Sequence, residues 1–583
     1  MKNTKQEASR FLMQATLGAD EATIEQVAKQ GVSSWLDDQM SGGLPTDDSF
    51  EAETTEIWKH FRHKLKRRYG TSAINGEGNN PALPYKFYFH MAWWHKTLTA
   101  SPEQLLRHRV AQALSEILVI SDNSVLELDA EGMANYYDIL YRNAFGRYGD
   151  ILEQVSLHPC MGVYLSHMNN RKADPSRNIH PDENFAREIM QLFSIGLFEL
   201  NEDGSRKKDA AGRDIPTYDN RDIKELARVF TGIQAHSYEY EWQTSFWPKE
   251  YNGAALNFAD GVEKTYKTIP FVNMRKPMKI DESYHDRGSK SLLKGHIKLP
   301  GRQTGEQEIR TVVERLVSHP STAPFIARHL INQLVTSNPT PEYIRAVARK
   351  FGSQGDMKAA VRKILTYPLQ HRTSIGQSYE VQSQKLKSPL LRVTQLLRAF
   401  GAHNQSGKLW ITGDSIEDAL EQHPMSAPTV FNFYKPDYVP HGPLQDAGLL
   451  APEFELHTSA TSIAYVNMMY YWLFGDYYPL VSTEINSDPT IQNAPELNPD
   501  ILSRPGKDKI KLNWSEEVAM AKSRSRHEEL IDRISLTLTG KTNLPIKRKI
   551  KKSFATYDGN PLWVVQTIVF MIAISPEYTV LEA

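Results

Sequence analysis

A chain of 583 residues that is 40% hydrophobic and 23% charged is too long for one ordinary core and too apolar for disorder, so roughly two to four structural units are expected. Its 68 Lys and Arg against 69 Asp and Glu leave a net charge of −1, which excludes a general nucleic-acid binder with a basic surplus. The single cysteine, Cys160, excludes an intramolecular disulfide, a cysteine-rich zinc site and c-type haem attachment.

Residues 1–10 are polar and lack the apolar segment of a secretory leader. The chain is therefore either cytoplasmic or a mature form whose leader has been removed, which would place it in the periplasm or outside the cell. Ala8, Phe11, Leu12 and Ala15 open a helical pattern that Gly18 and Asp20 break, and residues 24–36 carry the next helices. Residues 69–84 form a Gly/Asn-rich polar loop, and 86–98 are rich in aromatics. Ser101-Pro102-Glu103 is a start signal, with Ser at the cap and Pro in the first turn. Leu105, Leu106, Val110, Ala113, Leu114, Ile117 and Leu118 then predict a long core helix that also carries Arg107, His108, Arg109 and Glu116. Further helices are expected over 134–145 and 149–156.

Residues 202–218 and 236–300 lose this periodicity, and predict long loops with short strands such as 267–272. Helices return over 306–318, 323–337, 340–352, 356–366 and 388–402. After a loop-rich stretch they resume over 453–474, 515–539 and 560–574. No run reaches the roughly 18 apolar residues that a bilayer span needs. The expected fold is mainly α, a multi-helix globular core with long loops and a few short β-strands. The expected division is a helical core over 1–235, a loop-rich insertion with short strands over 236–305, and a helical region over 306–583 with a polar loop at 480–513.

The densest polar motif is His180-Pro181-Asp182-Glu183-Asn184-Phe185-Ala186-Arg187-Glu188. Pro181 suits a first helical turn, and Asp182 and Glu183 suit the positive end of the helix dipole. Asn184, Arg187, Glu188 and Gln191 recur at i, i+3, i+4 and i+7, so they share one stripe, and Glu183 can pair with Arg187. The flanks 161–165 and 195–200 are apolar, as expected of a buried helix, and a buried polar stripe needs partners. The stripe is then either a buried structural network or a site. In a site, Glu188 with Glu183 supplies acid–base chemistry, Arg187 clamps an anion, and Asn184 and Gln191 position the substrate. Arg109 could reach the same centre from its own helix. Tyr238, Tyr240, Trp242, Phe246, Trp247 and Tyr251 crowd one loop, and residues 431–438, with Tyr434, form a second aromatic loop. Trp242, Trp247 and Tyr434 could stack against sugar rings, or they could pack the loops onto the helices. Histidine spacing in the central segment gives no metal motif, and no nucleotide loop or serine-hydrolase elbow occurs, so no cofactor can be named.

Several segments in fixed order carry a resemblance. They include Arg10-Phe11-Leu12-Met13-Gln14-Ala15-Thr16-Leu17-Gly18, Leu106-Arg107-His108-Arg109-Val110-Ala111 and His158-Pro159-Cys160-Met161-Gly162-Val163-Tyr164-Leu165. With the motif at 181–188 come Val229-Phe230-Thr231-Gly232, Val430-Phe431-Asn432-Phe433-Tyr434-Lys435-Pro436 and Ser575-Pro576-Glu577-Tyr578. Together they resemble the bacterial "domain of unknown function 1800" family over about residues 7–580. The resemblance implies a large, often exported protein, often encoded beside a member of the "domain of unknown function 1501" family, with carbohydrate-binding modules in some relatives. It supplies no catalytic residues. Two functional expectations follow. One is an enzyme acting on a sugar-like or anionic polar substrate through a buried Glu/Arg/Asn cluster. The other is a non-catalytic glycan-binding or assembly protein working with a surface or periplasmic partner.

Overall fold

Capping chemistry sets where the helices begin. Thr4 Oγ1 accepts the Glu7 N–H and the Glu7 carboxylate accepts the Thr4 N–H, which opens the helix Lys5–Ala15. The same reciprocal box starts Asn220–Val229 at Asp219, Gly305–Val317 at Thr304 and Ser459–Phe474 at Thr458. Proline in the first turn, after a polar cap, starts Pro159–Tyr164, Pro341–Phe351, Pro389–Ala399 and Pro561–Ala573. The structure, a computed structural model, describes residues 3–44, 47–69, 86–239, 250–251, 254–255, 271–371, 384–475, 510–554 and 559–582. The expected loop at 69–84 lies almost wholly outside these residues, as do Trp242, Trp247 and most of the expected polar loop at 480–513.

The protein is mainly α. Among the described residues its strands are two or three residues long and pair only in twos, as in Ile233–Gln234 with Lys279–Ile280 and Lys290–Leu292 with Ile297–Leu299. The expected strand at 267–272 is described only at its end, where Phe271–Val272 pairs with Tyr238–Glu239. Gln384–Leu386 pairs antiparallel with Val580–Glu582, so the last described residues are tied to the middle of the chain. Buried apolar side chains from Ala8 to Tyr578 form one continuous cluster. A second, small cluster of Val119, Ala427, Phe433, Tyr434 and Leu456 packs the 427–434 loop against the chain that follows the Leu105–Ser115 helix.

Several helix boundaries depart from expectation, and the end of the Leu105–Ser115 helix shapes the site. The Ser101-Pro102-Glu103 signal makes a turn, with the Gln104 N–H bonded to the Ser101 carbonyl at 3.0 Å, and the helix starts at Leu105. That helix also stops at Ser115, so Glu116 is its C-cap and the apolar residues 117–120 leave it as extended chain and turn. The motif helix is only Asn184–Gln191. Pro181 lies outside it, because Asp182 Oδ1 takes the Asn184 N–H at 2.8 Å and starts the helix later. The run 515–539 divides into Ser515–Ala521 and His527–Thr539.

Candidate functional site

The Leu105–Ser115 helix is buried all round, yet it carries Arg109, Gln112 and Glu116 at i, i+3 and i+7, hence on one face. Arg109 donates to Gln112 Oε1 and to the backbone carbonyl of Gln333 at the end of the Thr322–Leu334 helix. The Glu116 carboxylate is held by four uncharged donors. Gln112 Nε2 at 2.6 Å and Gln422 Nε2 at 3.1 Å meet one oxygen, and Tyr434 Oη at 3.2 Å and Asn432 Nδ2 at 3.4 Å meet the other. Burial raises its pKa, with Arg109 and Lys385 acting against that shift. Its place at a helix C-terminus, the negative end of the dipole, works in the same direction as burial. Burial also pushes the Tyr434 hydroxyl well above its ordinary range.

A second carboxylate, Glu453, stands at the other side on the short turn Pro452–Glu455. Its Oε1 lies 2.7 Å from Lys385 Nζ, and both side chains are 3% exposed. Lys385 Nζ also donates to the Asn332 carbonyl at 2.6 Å, at the carbonyl-rich end of the same helix that receives Arg109. Among these four groups, Arg109 and Lys385 balance Glu116 and Glu453.

A cavity of about 90 Å³ opens over this centre. Ile117, Leu192, Val430, Phe431, Pro436 and Pro452 make its apolar walls, and Glu116, Asn332, Gln333, Asn432, Tyr434 and Glu453 supply polar groups. His329 also reaches it, with its imidazole pKa lowered to about 4, first by burial and then by Arg328. The loop that brings Gln422, Asn432 and Tyr434 has three non-glycine residues in the left-handed region, Glu421, Met425 and Asn432, at φ 57°, 56° and 72°. Strain of this kind persists only where surrounding contacts hold it, and it concentrates at functional sites. Two larger grooves, of about 410 and 430 Å³, are lined by charged surface residues. In the first, Arg533 already pairs with Glu21, Glu516 and Glu517. In the second, Arg147 faces Asp150 at 3.9 Å.

Of the residues singled out in the sequence, Arg109 and Tyr434 meet at this centre. The motif helix does not join them: Glu183, Asn184, Arg187, Glu188 and Gln191 are absent from the cavity walls, and only Leu192, just past the helix end, reaches them. The expected burial of the Glu/Arg/Asn cluster holds for one member. Asn184 is exposed, and Arg187 and Glu183 face each other at 3.8 Å with 40% and 39% of their side chains open to solvent. The physical reason is that the eight-residue helix buries Phe185, Ala186, Ile189 and Met190 and leaves the outer edge of its polar stripe uncovered. Glu188 is 6% exposed, and its Oε2 has no hydrogen-bond partner. Burial raises its pKa and Arg187 lowers it. Gln191 Oε1 accepts from Tyr218 Oη at 2.7 Å.

Sequence reasoning passed over Gln112, Lys385, Gln422, Asn432 and Glu453. The signal available for the first was a polar residue between Arg109 and Glu116 on an otherwise apolar helix face. Among the described residues no group of three or more His, Cys, Asp or Glu is placed to hold a metal ion, and no helix is long and apolar enough to cross a membrane. No curated protein and no solved structure matches the chain. A family model described as protein of unknown function (DUF1800) matches residues 10–580, and the chain belongs to that family.

Proposed function

We propose that the protein is an enzyme whose working site is the Glu116 cavity, where acid–base chemistry acts on a polar, sugar-like group at a glycosidic or ester centre. One observation carries the reading: a buried carboxylate, oriented by neutral donors and raised in pKa, borders an open cavity instead of being sealed in an ion pair. Raised affinity for its proton suits Glu116 to act as the general acid. It donates that proton to the leaving oxygen as the scissile bond breaks. It recovers a proton from the water that completes hydrolysis. Gln112, Gln422 and Tyr434 fix the direction of the carboxyl group, so little reorganisation accompanies the transfer. Glu453 and Lys385 keep a charged pair beside the site, and Arg109 tempers the charge that Glu116 develops.

The test is turnover by the full chain on a panel of aryl glycosides and aryl esters, wild type against Glu116→Gln. Turnover by the wild type with a loss of about 10²- to 10⁴-fold in the variant is expected, with the helical circular dichroism spectrum retained. A variant as fast as the wild type, or a wild type inert on the whole panel, would sink the enzyme reading.

A further inference from the structure

We infer that the group entering the Glu116 cavity is a neutral, hydroxyl-bearing one and that Asn432 is the residue that reads its hydroxyl. The inference rests on the cavity being the working site, and it adds the class of ligand.

Asn432 is 8% exposed and lines the cavity. Its Nδ2 is used, donating to Glu116 Oε2 at 3.4 Å. Its Oδ1 is buried with no hydrogen-bond partner. A buried acceptor left unmade is costly, and the great majority of such groups are satisfied. The backbone of Asn432 is also held at φ 72°, a conformation asparagine tolerates and most residues avoid. An unmet acceptor at a residue bordering a cavity points to a donor that arrives with the ligand.

Charge decides the kind of donor. Lys385 is offset by Glu453, Arg109 is taken up by Gln112 and the Gln333 carbonyl and does not line the cavity, and the remaining walls are apolar or, at His329, Asn332 and Gln333, polar without net charge. An ammonium or a carboxylate entering here would bring an uncompensated charge into a poorly solvated space. A hydroxyl brings the hydrogen that Asn432 Oδ1 lacks and no net charge. The volume of about 90 Å³ takes the hydroxyl-bearing edge of a ring and leaves the remainder outside. There Phe431, 48% exposed, offers an apolar face to it.

Three rings of similar shape separate the charge classes: methyl glucoside is neutral, glucosamine carries an ammonium and glucuronate a carboxylate. Saturation-transfer NMR at millimolar ligand, on the full-length wild type and on Asn432→Gly and Glu116→Gln, reads the outcome. The neutral ring should bind best to the wild type and keep binding to Glu116→Gln. It should lose at least about tenfold in affinity on Asn432→Gly, a full RT ln 10. Glycine adopts φ 72° without strain, so the loop keeps its conformation and that variant should melt within a few degrees of wild type. Tighter binding of glucosamine or glucuronate overturns the neutral class and leaves the cavity reading standing. Undiminished binding by Asn432→Gly, or a melting temperature well below wild type, reduces Asn432 to a structural residue and overturns its assignment. Absence of transfer from all three rings overturns the inference, and the enzyme reading is then decided separately by Glu116→Gln turnover in the same preparations.

Discussion

The two polar centres of this molecule are built in opposite ways. The group on Asn184–Gln191 comes from consecutive turns of one short helix, and its charged pair Glu183–Arg187 stands 3.8 Å apart in partial solvent. The group around Glu116 is drawn from five separate segments between Arg109 and Glu453, and its charged side chains are nearly all sealed from water. Solvent screening makes the first pair a small term in stability. Desolvation makes every charge in the second expensive if its partner is removed. Local density of polar residues therefore says less about energetic consequence than burial and convergence do.

The sharpest way to break that contrast is to remove a partner on each side. Glu453→Met leaves Lys385 buried without its carboxylate, and should cost about 3–5 kcal/mol in urea unfolding, lessened only by the carbonyls of Asn332 and Gln333. A loss below 1 kcal/mol would mean that the interior is better solvated than the geometry indicates.

Lys387, two residues on from Lys385, sharpens the comparison from the other direction. It is fully buried, with Nζ 4.2 Å from the Tyr578 ring centre and 4.0 Å from Met13 Sδ, and its pKa is lowered to about 7, first by burial and then by Arg392. Unfolded, a lysine titrates near about 10.4. Between the two values the unfolded chain binds the extra proton, so wild-type stability should rise as pH climbs from about 7 towards 10. Lys387→Met should remove that rise and be more stable than wild type by about 1–4 kcal/mol at and below pH 7. A variant less stable than wild type at low pH would show that the Tyr578 contact outweighs desolvation.

On the motif helix, Glu188 has a raised pKa, so its ionised form opposes folding: stability should fall as pH rises above the ordinary glutamate range. Glu188→Gln should then melt above wild type near neutral pH, and the difference should vanish below about pH 4. A pH-independent difference would place the effect in packing instead of charge. Smallest of all, Glu183→Ala should change stability by no more than about 0.5 kcal/mol, and added salt should erase even that.

Much of the helical framework was legible because caps and periodicity are local. Pro341, Pro389 and Pro561 each mark a helix start within a residue of where it lies. Boundaries failed where side chains compete with the backbone, as Asp182 does ahead of Asn184. At the site, Arg109 and Glu116 were visible as charges on an apolar helix, and Tyr434 as part of an aromatic loop. Lys385 and Glu453 were not, because nothing adjacent to them in sequence distinguishes them from surface residues, and Asn432 stood in the same aromatic loop as Tyr434 without being singled out from it. Their burial is created by contacts with remote segments. The stripe at 184–191 meets its expected burial only at Glu188, for a related reason: its apolar flanks pack, but Asn184 stays exposed.

Gln422 and His423 are neighbours in the chain but serve different interiors. Gln422 donates to Glu116, while His423 Nε2 receives the Trp94 indole N–H at 2.9 Å, and its ring lies 4.1 Å from that of His90. Gly413 presses so closely on this imidazole that a methyl group there would sit 1.8 Å from its Nε2, so the ring has little room to adjust by itself. One peptide unit therefore joins the Gln422 side chain on the Glu116 carboxylate to the His423 ring that accepts from the buried Trp94. The chain carries its own optical gauge: occupancy of the cavity should change tryptophan emission, and Trp94→Phe should silence that change without any added dye.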